Sequence, residues 1–146
     1  MTRTFSFPAG HWNWPVKLSH QHAVRAGHFI FTGGQVDLDA AGNVQNPNDL
    51  AQQCANAMSY LSALLQDLGA DFDDLVRLVV YYVGGEPEKA HIQQWIAEEV
   101  GSDARPVINM ISMPELCYPD MLIEIEGVAM RDNDCLLYTS PSPRDS

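Results

Sequence analysis

Basic residues are scarce in this chain. Of its 146 residues, 8 are Lys or Arg and 19 are Asp or Glu, which gives a formal net charge of −11 at pH 7. Proteins that bind nucleic acid present basic surface to the phosphates, so this balance argues against a nucleic-acid partner. It also means that an anionic small ligand needs a local cation to offset the negative field around it.

Long apolar runs are missing as well. No stretch approaches the roughly 18 consecutive apolar residues of a membrane-spanning helix. The first residues, Met1 to Phe5, lack the apolar core of a secretory signal. Both absences predict a cytoplasmic protein with no membrane partner.

Cysteine is infrequent, and no metal-ligand pattern is visible. Cys54, Cys117 and Cys135 show neither the spacing of metal ligands nor an even disulfide framework. His20 and His22 fall on one face of a predicted strand, but no third ligand stands at a recognisable spacing. We therefore expect no metal. Cys54 lies on the apolar face of a predicted helix, where we expect a buried thiol.

What the chain does contain is enough apolar residues for a globular core. Hydrophobic residues make up 46% of the sequence and charged residues 18%, as in soluble domains. We expect one domain over residues 1–134. Residues 135–146 are rich in Ser and Pro and resemble a translated sequencing adapter, so we interpret them as a non-native, disordered tail.

The hydrophobic pattern predicts eight elements. They are a short strand near Phe5, a hairpin over 20–34 with its turn at 26–27, a helix over 47–68, a strand over 75–83, a helix over 87–100 and two closing strands within 104–130. Asn46 is the predicted N-cap of the first helix, and Pro47 suits its first turn. The aromatic residues of positions 1–19 are expected mainly to cover the core.

This order predicts an α+β fold with a mixed, mostly antiparallel sheet and two helices on one face. Strands 75–83 and 122–130 are apolar on both faces, yet two helices cover only one. A second copy of the sheet is the economical cover for the other face, so we expect an oligomer.

Two charged residues stand out near the closing strands. Arg105 precedes the first of them and Glu124 lies within the second. Antiparallel pairing of these strands would bring both groups to the same end of the sheet. A guanidinium suits a substrate carboxylate, and a nearby carboxylate can take a proton from water. The alternative is a structural ion pair, or two solvent-facing side chains.

Several segments together resemble the RidA/YjgF/YER057c/UK114 family. They are Gly33-Gly34-Gln35 after an apolar strand, the long first helix, Ala104-Arg105, and Ile123-Glu124-Ile125-Glu126-Gly127-Val128-Ala129. The similarity extends over nearly all of residues 20–131.

The resemblance implies a chorismate-mutase-like fold that forms a homotrimer with a site in each cleft between subunits. It also implies a cofactor-free deaminase of reactive enamines and imines, which yields 2-oxo acids. Carried over, Arg105 holds the substrate carboxylate and Glu124 positions the attacking water. Gly34 and Val107 contribute backbone groups.

This chain departs from the family pattern at several positions. His20 stands about where a tyrosine is usual, Pro106 follows the arginine, Ile92 replaces an asparagine, and the 115–121 loop is longer. The substrate therefore stays open between an imine or enamine acid and another small acid or amide. A non-catalytic ligand-binding trimer is a third reading. A ribonuclease role, known in the family, fits poorly with the acidic charge.

Overall fold

The computed structural model describes residues 2–14 and 19–132, and the predicted tail over 135–146 lies outside them. The described chain forms β1 (Arg3–Ser6), β2 (Ala23–Ala26), β3 (Phe29–Thr32), α1 (Leu50–Asp67), β4 (Leu75–Tyr82), α2 (Glu86–Val100), β5 (Val107–Ser112) and β6 (Ile123–Met130). The order and type of these elements confirm the prediction from the sequence.

All the strands join one six-stranded sheet in the order β1-β2-β3-β6-β4-β5. The β4–β5 pair is parallel, with α2 as its crossover, and the other neighbours are antiparallel. Both helices contribute to one core on a single face of the sheet. The predicted α+β class, with a mixed, mostly antiparallel sheet, is therefore confirmed.

The start of α1 differs from the prediction. Asn46 and Asn48 have positive φ angles of 53° and 66°, so the chain is still turning there and Pro47 precedes the helix. Asp49 is the N-cap, and its carboxylate accepts a hydrogen bond from the backbone N–H of Gln52. The Asp49 carboxylate caps the helix better than Asn46 could, because it lies within one turn of the free N–H groups.

The hairpin turn is also shifted by one residue. β2 ends at Ala26 and β3 begins at Phe29, so Gly27 and His28 form the turn. Gly27 has φ 65°, a conformation that glycine adopts without a steric penalty.

The core lies between the sheet and the two helices. Cys54 is buried in it, as predicted, and burial raises the pKa of its thiol to about 12. The largest fully buried apolar side chains of the core are Ile30, Met58, Leu61, Leu64, Leu65, Leu75, Leu78, Ile92, Ile96, Ile123 and Ile125. Among the described residues, no helix combines the length and the apolar character needed to cross a bilayer.

The opposite face of the sheet is not covered within the chain. Alternate residues of each strand project there, and several are large and apolar. The exposed ones are Phe5, Phe29, Phe31, Val107, Ile111 and Met130. Of these six, Met130 belongs to one of the two strands predicted to be apolar on both faces, and the others lie on β1, β3 and β5.

A buried glutamine ties α1 to the segment that enters β6. Gln53 is fully buried. Its amide nitrogen donates to the carbonyls of Asn46 and Asp120, and its amide oxygen accepts from the N–H of Leu122 at 2.9 Å. The amide thus bonds to three backbone groups from two segments of the chain.

We expect Gln53→Leu to lower the free energy of unfolding by about 2 kcal/mol or more, because it leaves buried backbone groups unpaired. The matched control is Gln52→Leu, at the exposed neighbouring position on α1, which should change stability by less than about 0.5 kcal/mol. Urea denaturation of both variants measures the difference. Equal stability of the two variants would contradict this role for Gln53.

Candidate active site

Within one chain, Arg105 and Glu124 lie far apart, so the predicted antiparallel pairing of their strands is wrong. β4 lies between β5 and β6. Glu124 pairs with Tyr81 of β4, and Tyr81 pairs with Ile111 of β5. Arg105 precedes Ile111 by six residues, which is about 20 Å along a strand. The cause is the parallel β4–β5 pairing, which places Arg105 at the opposite end of the sheet from Glu124.

Arg105 occupies an exposed corner at the start of the edge strand β5. Its φ of 49° is unusual for a non-glycine residue, and Pro106 follows it. Backbone strain of this kind costs roughly 1–3 kcal/mol and concentrates at functional sites. The guanidinium donates from Nε to the carbonyl of Ser102 at 3.2 Å. It forms no ion pair with any residue of the described part of the chain.

Val107 shares this corner. It is the first residue of β5, pairs with Arg77, and is 64% exposed. The structure therefore groups Val107 with Arg105, and it places Gly34 with Glu124. The predicted site residues form two half-sites at opposite ends of the sheet.

Glu124 and Gly34 are in close contact. A Cβ atom on Gly34 would lie 2.5 Å from both Cδ and Oε2 of Glu124, so the carboxylate rests directly over the glycine backbone. Gln35 holds this segment in place: its N–H donates to the carbonyl of Ile125 at 2.7 Å, and its carbonyl accepts from the N–H of Ile125 at 3.0 Å. A side chain at position 34 would therefore displace the flexible end of Glu124.

The environment of Glu124 favours its neutral form. Burial raises the pKa of the Glu124 carboxyl above its usual range, and the negative charge of Glu126 raises it further. Glu126 is the next residue on the same face of β6, and its Oε1 accepts a hydrogen bond from the hydroxyl of Tyr81 at 2.9 Å. A carboxylate with a raised pKa is a better proton acceptor once it is ionised.

A cavity of about 120 Å³ opens beside Glu124. Most of its wall is aromatic or aliphatic. It is lined by Gly10, His11, Trp12, Trp14, His22, Gly34, Gln35, Val36, Leu38, Tyr60, Cys117, Tyr118, Met121 and Glu124. The expectation that the aromatic residues of positions 1–19 mainly cover the core does not hold for Trp12 and Trp14, since they line this cavity.

Two histidines form part of the cavity wall. His22 is buried, and its Nε2 lies 2.9 Å from the carbonyl of Trp12, so that nitrogen donates. Burial lowers the pKa of His22 below its ordinary value. The pKa of His11 is also lowered, first by burial and then by the charge repulsion of the nearby His22. Both imidazoles are therefore neutral near pH 7.

His20, the residue proposed in place of the family tyrosine, does not line the cavity. Its ring packs edge-on against Trp14, with 4.0 Å between the centroids. His20 therefore packs against Trp14, which lines the cavity, without lining the cavity itself. Among the described residues, no group of three or more His, Cys, Asp or Glu side chains is arranged to hold a metal ion.

Comparisons with known proteins agree with this fold. The family model described as Endoribonuclease L-PSP matches residues 15–131. A RutC family protein of Pyrococcus abyssi is 26% identical over 115 residues, which cover 77% of this chain and 87% of that protein. The chain belongs to the YjgF/YER057c/UK114 family, also known as the RidA family.

Solved structures share the fold. A Mycobacterium tuberculosis protein described as a member of the YjgF/YER057c/UK114 family superposes with a TM-score of 0.70 at 22% identity, covering 88% of this chain and 99% of that one. Yeast Mmf1 gives a TM-score of 0.75 at 15% identity, covering 90% of this chain and 100% of its own.

The contact between Gly34 and Glu124 is open to a direct test. We expect Gly34→Ala to push the flexible end of Glu124 out of its half-buried position, so that the pKa of its carboxyl falls back toward the ordinary value. The measurement is a carbon-13 NMR titration of the glutamate carboxyls, with Glu124→Gln identifying the resonance.

Gly33→Ala is the matched control for this titration. A Cβ atom there would meet its nearest neighbour, the carbonyl oxygen of His22, at 3.6 Å, which is an ordinary contact. The carboxyl of Glu124 should keep its raised pKa in this variant. An unchanged titration in Gly34→Ala would mean that the Gly34 contact does not set the position of Glu124.

Proposed function

We propose that this protein hydrolyses 2-imino acids and their enamine tautomers to 2-oxo acids and ammonia. The observation that carries the proposal is the placement of Glu124. Its half-buried carboxylate, with a raised pKa, rests on Gly34 at the wall of a small-molecule cavity. Such a group can accept a proton from a water molecule and deliver it to a leaving nitrogen.

The substrate carboxylate needs a cation, and we assign that role to Arg105 of a neighbouring copy. Within one chain Arg105 lies about 20 Å along the sheet from Glu124. It is exposed and free of ion pairs within the described residues. A site assembled between two copies therefore requires Arg105 from one and Glu124 from the other.

The uncovered sheet face supports such an assembly. It presents aromatic and aliphatic side chains from β1, β3, β5 and β6 to solvent, which a monomeric protein rarely tolerates over a wide area. We propose that a second copy covers this face and that the closed assembly is a homotrimer, as the family resemblance implies. Cyclic closure leaves no copy of the face exposed.

The proposed reaction needs no cofactor. C2 of a 2-imino acid is electrophilic, since it is double-bonded to nitrogen and attached to a carboxylate. Arg105 binds the carboxylate with two hydrogen bonds and orients C2 toward a water molecule held by Glu124. The water oxygen bonds to C2 as the C=N π bond opens, while Glu124 takes one water proton and passes it to the nitrogen, which gives a carbinolamine. Glu124 then moves the remaining hydroxyl proton to the amine, the C–N bond breaks as the C=O bond forms, and ammonia and the 2-oxo acid are released.

The overall charge favours a small substrate over RNA. The net charge of −11 repels a polyanion, whereas one guanidinium is sufficient for a single carboxylate. The nearby Glu124 favours catalysis over simple binding, because a receptor for a carboxylate gains nothing from a second negative charge.

We expect Glu124→Gln to lower kcat on 2-iminopropanoate by about 10²–10⁴-fold, because the general base is lost. Arg105→Lys should lower kcat/KM by about 10-fold or more, because an ammonium cannot form the paired hydrogen bonds of a guanidinium. Ammonia release above the uncatalysed rate is the measurement. Lys89→Arg, on α2 at the far side of the core from the uncovered sheet face, is the control and should retain normal activity.

Mixing two inactive variants tests the shared site itself. In trimers assembled from equal amounts of Arg105→Ala and Glu124→Gln chains, about a quarter of the sites would combine both native residues. We expect co-refolded mixtures to regain activity that neither variant shows alone. Absence of any recovery, with trimers confirmed by light scattering, would overturn the assignment of Arg105 to a neighbouring copy.

The pH profile provides a further test. Glu124 must be ionised to act as a base, so kcat/KM should rise with pH through its raised pKa. Because the charge of Glu126 contributes to that raised pKa, Glu126→Gln should move the acidic limb of the profile to lower pH. A limb that stays in place would show that another group controls this titration.

A further inference from the structure

We propose that the cavity beside Glu124 binds the substrate side chain and selects 2-imino acids that carry an aromatic ring. This inference rests on the proposed function and names the substrate class of the same site.

Aromatic rings from separate parts of the chain form the cavity wall. Trp12 and Trp14 come from the loop after β1, Tyr60 from α1 and Tyr118 from the loop before β6. The Trp12 ring lies 4.7 Å from the Trp14 ring and meets Tyr118 edge-on at 6.2 Å, measured between centroids. These separations are those of aromatic rings in contact, so the rings form a continuous aromatic surface along the cavity.

The size of the cavity suits a six-membered ring. Its volume of about 120 Å³ is of the order of the engineered apolar cavity, roughly 150 Å³, that binds benzene. The methyl group of 2-iminopropanoate would leave most of this space empty. A methyl group would contact little of the wall, whereas a ring would contact the aromatic side chains that line it.

The wall is held in place without a ligand. The Nε2 atom of His22 donates to the carbonyl of Trp12, and the ring of Trp14 packs against His20 and His22. A Cβ atom added to Gly42 would lie within 3 Å of the Trp12 indole, so the indole packs directly against the backbone there. A preformed pocket loses little entropy on binding.

The chemistry of the wall disfavours a charged side chain. Among the described residues that line the cavity, none is a lysine or an arginine. His11 and His22 are neutral near pH 7 because burial lowers their pKa. Among the described lining residues the acidic one is Glu124, and in this proposal it acts at the reacting carbon.

The positions of Glu124 and of the Arg105 of a neighbouring copy set the orientation of the substrate in this proposal. Glu124 and Gly34 belong to the cavity lining, so C2 is placed at the wall with the ring pointing inward. The substrate carboxylate then points outward, toward the neighbouring copy that supplies Arg105.

The test compares two imines generated in place by an amino-acid oxidase, one from phenylalanine and one from alanine. We expect kcat/KM for the phenylalanine-derived imine to be about 10–100-fold higher, because its ring is buried in the cavity. Equal values, or a preference for the alanine-derived imine, would overturn the proposed selectivity and leave the deaminase function standing.

The variant test is Trp12→Ala, which removes one aromatic wall. We expect the ratio of the two kcat/KM values to fall by about 10-fold, since ring contacts are lost. Trp95→Ala on α2 is the matched control, and its ratio should equal that of the native protein. A ratio unchanged in a folded Trp12→Ala trimer would overturn the role of the cavity.

A binding measurement on the native protein separates this inference from the proposed function. Phenylpyruvate should bind at least about 10-fold more tightly than pyruvate by calorimetry, because its ring fills the cavity. Selective phenylpyruvate binding without hydrolysis of either imine would overturn the deaminase proposal and support the aromatic site. Failure of both oxo acids to bind, with neither imine hydrolysed, would overturn both.

Discussion

The central strand β6 constrains the rest of the molecule. It pairs with β3 on one edge and β4 on the other, so its backbone cannot move without disturbing the sheet. Side chains alternate along a strand, and Ile123 and Ile125 are buried against the helices. Glu124 therefore projects from the opposite face of the sheet, at the strand position fixed by its pairing with Tyr81. A shift in register by one residue would bury the carboxylate in the core.

The position of Glu124 in turn depends on a second segment. Gln35 pairs with Ile125 and lays Gly34 against the carboxylate. The resulting burial raises the pKa of Glu124 in a site where a small substrate can enter. Gln53 fixes the segment that leads into β6, because its side chain hydrogen-bonds to the backbone just before that strand. Buried amides with all their hydrogen bonds satisfied give this end of the sheet a single geometry.

The same sheet is the reason that the proposed site needs two chains. The parallel β4–β5 pair sends Arg105 to the far corner, and the apolar face between the two half-sites is uncovered. The proposed assembly resolves both features at once. It covers the apolar side chains and brings a cation to the carboxylate of a substrate held at Glu124. The aromatic cavity, by contrast, is built within one chain, so substrate selectivity and carboxylate binding come from different subunits in this proposal.

The sequence by itself determined the elements and their order. Periodicity over α1 and α2, glycine at the chain reversals, and the apolar strands β4 and β6 are local signals, and each is visible within a single short segment. The Gly-Gly-Gln segment and the Glu-Ile-Glu run are also short, contiguous signals, and they identified the family. The exact N-cap was missed, because Asn46 and Asp49 are both good caps and the intervening turn decides between them.

Only the tertiary structure decided which residues share a site. Arg105 and Glu124 are close in sequence, yet β4 enters between their strands, since strand order depends on the long-range packing of α2 across the sheet. Trp12, Trp14, Tyr60 and Tyr118 are scattered over more than 100 positions and show no common period. The density of aromatic residues near the start of the chain was the one local signal of the cavity. Their convergence beside Glu124 is a product of folding, because a cavity wall is defined by contacts between segments and not by the pattern within any one of them.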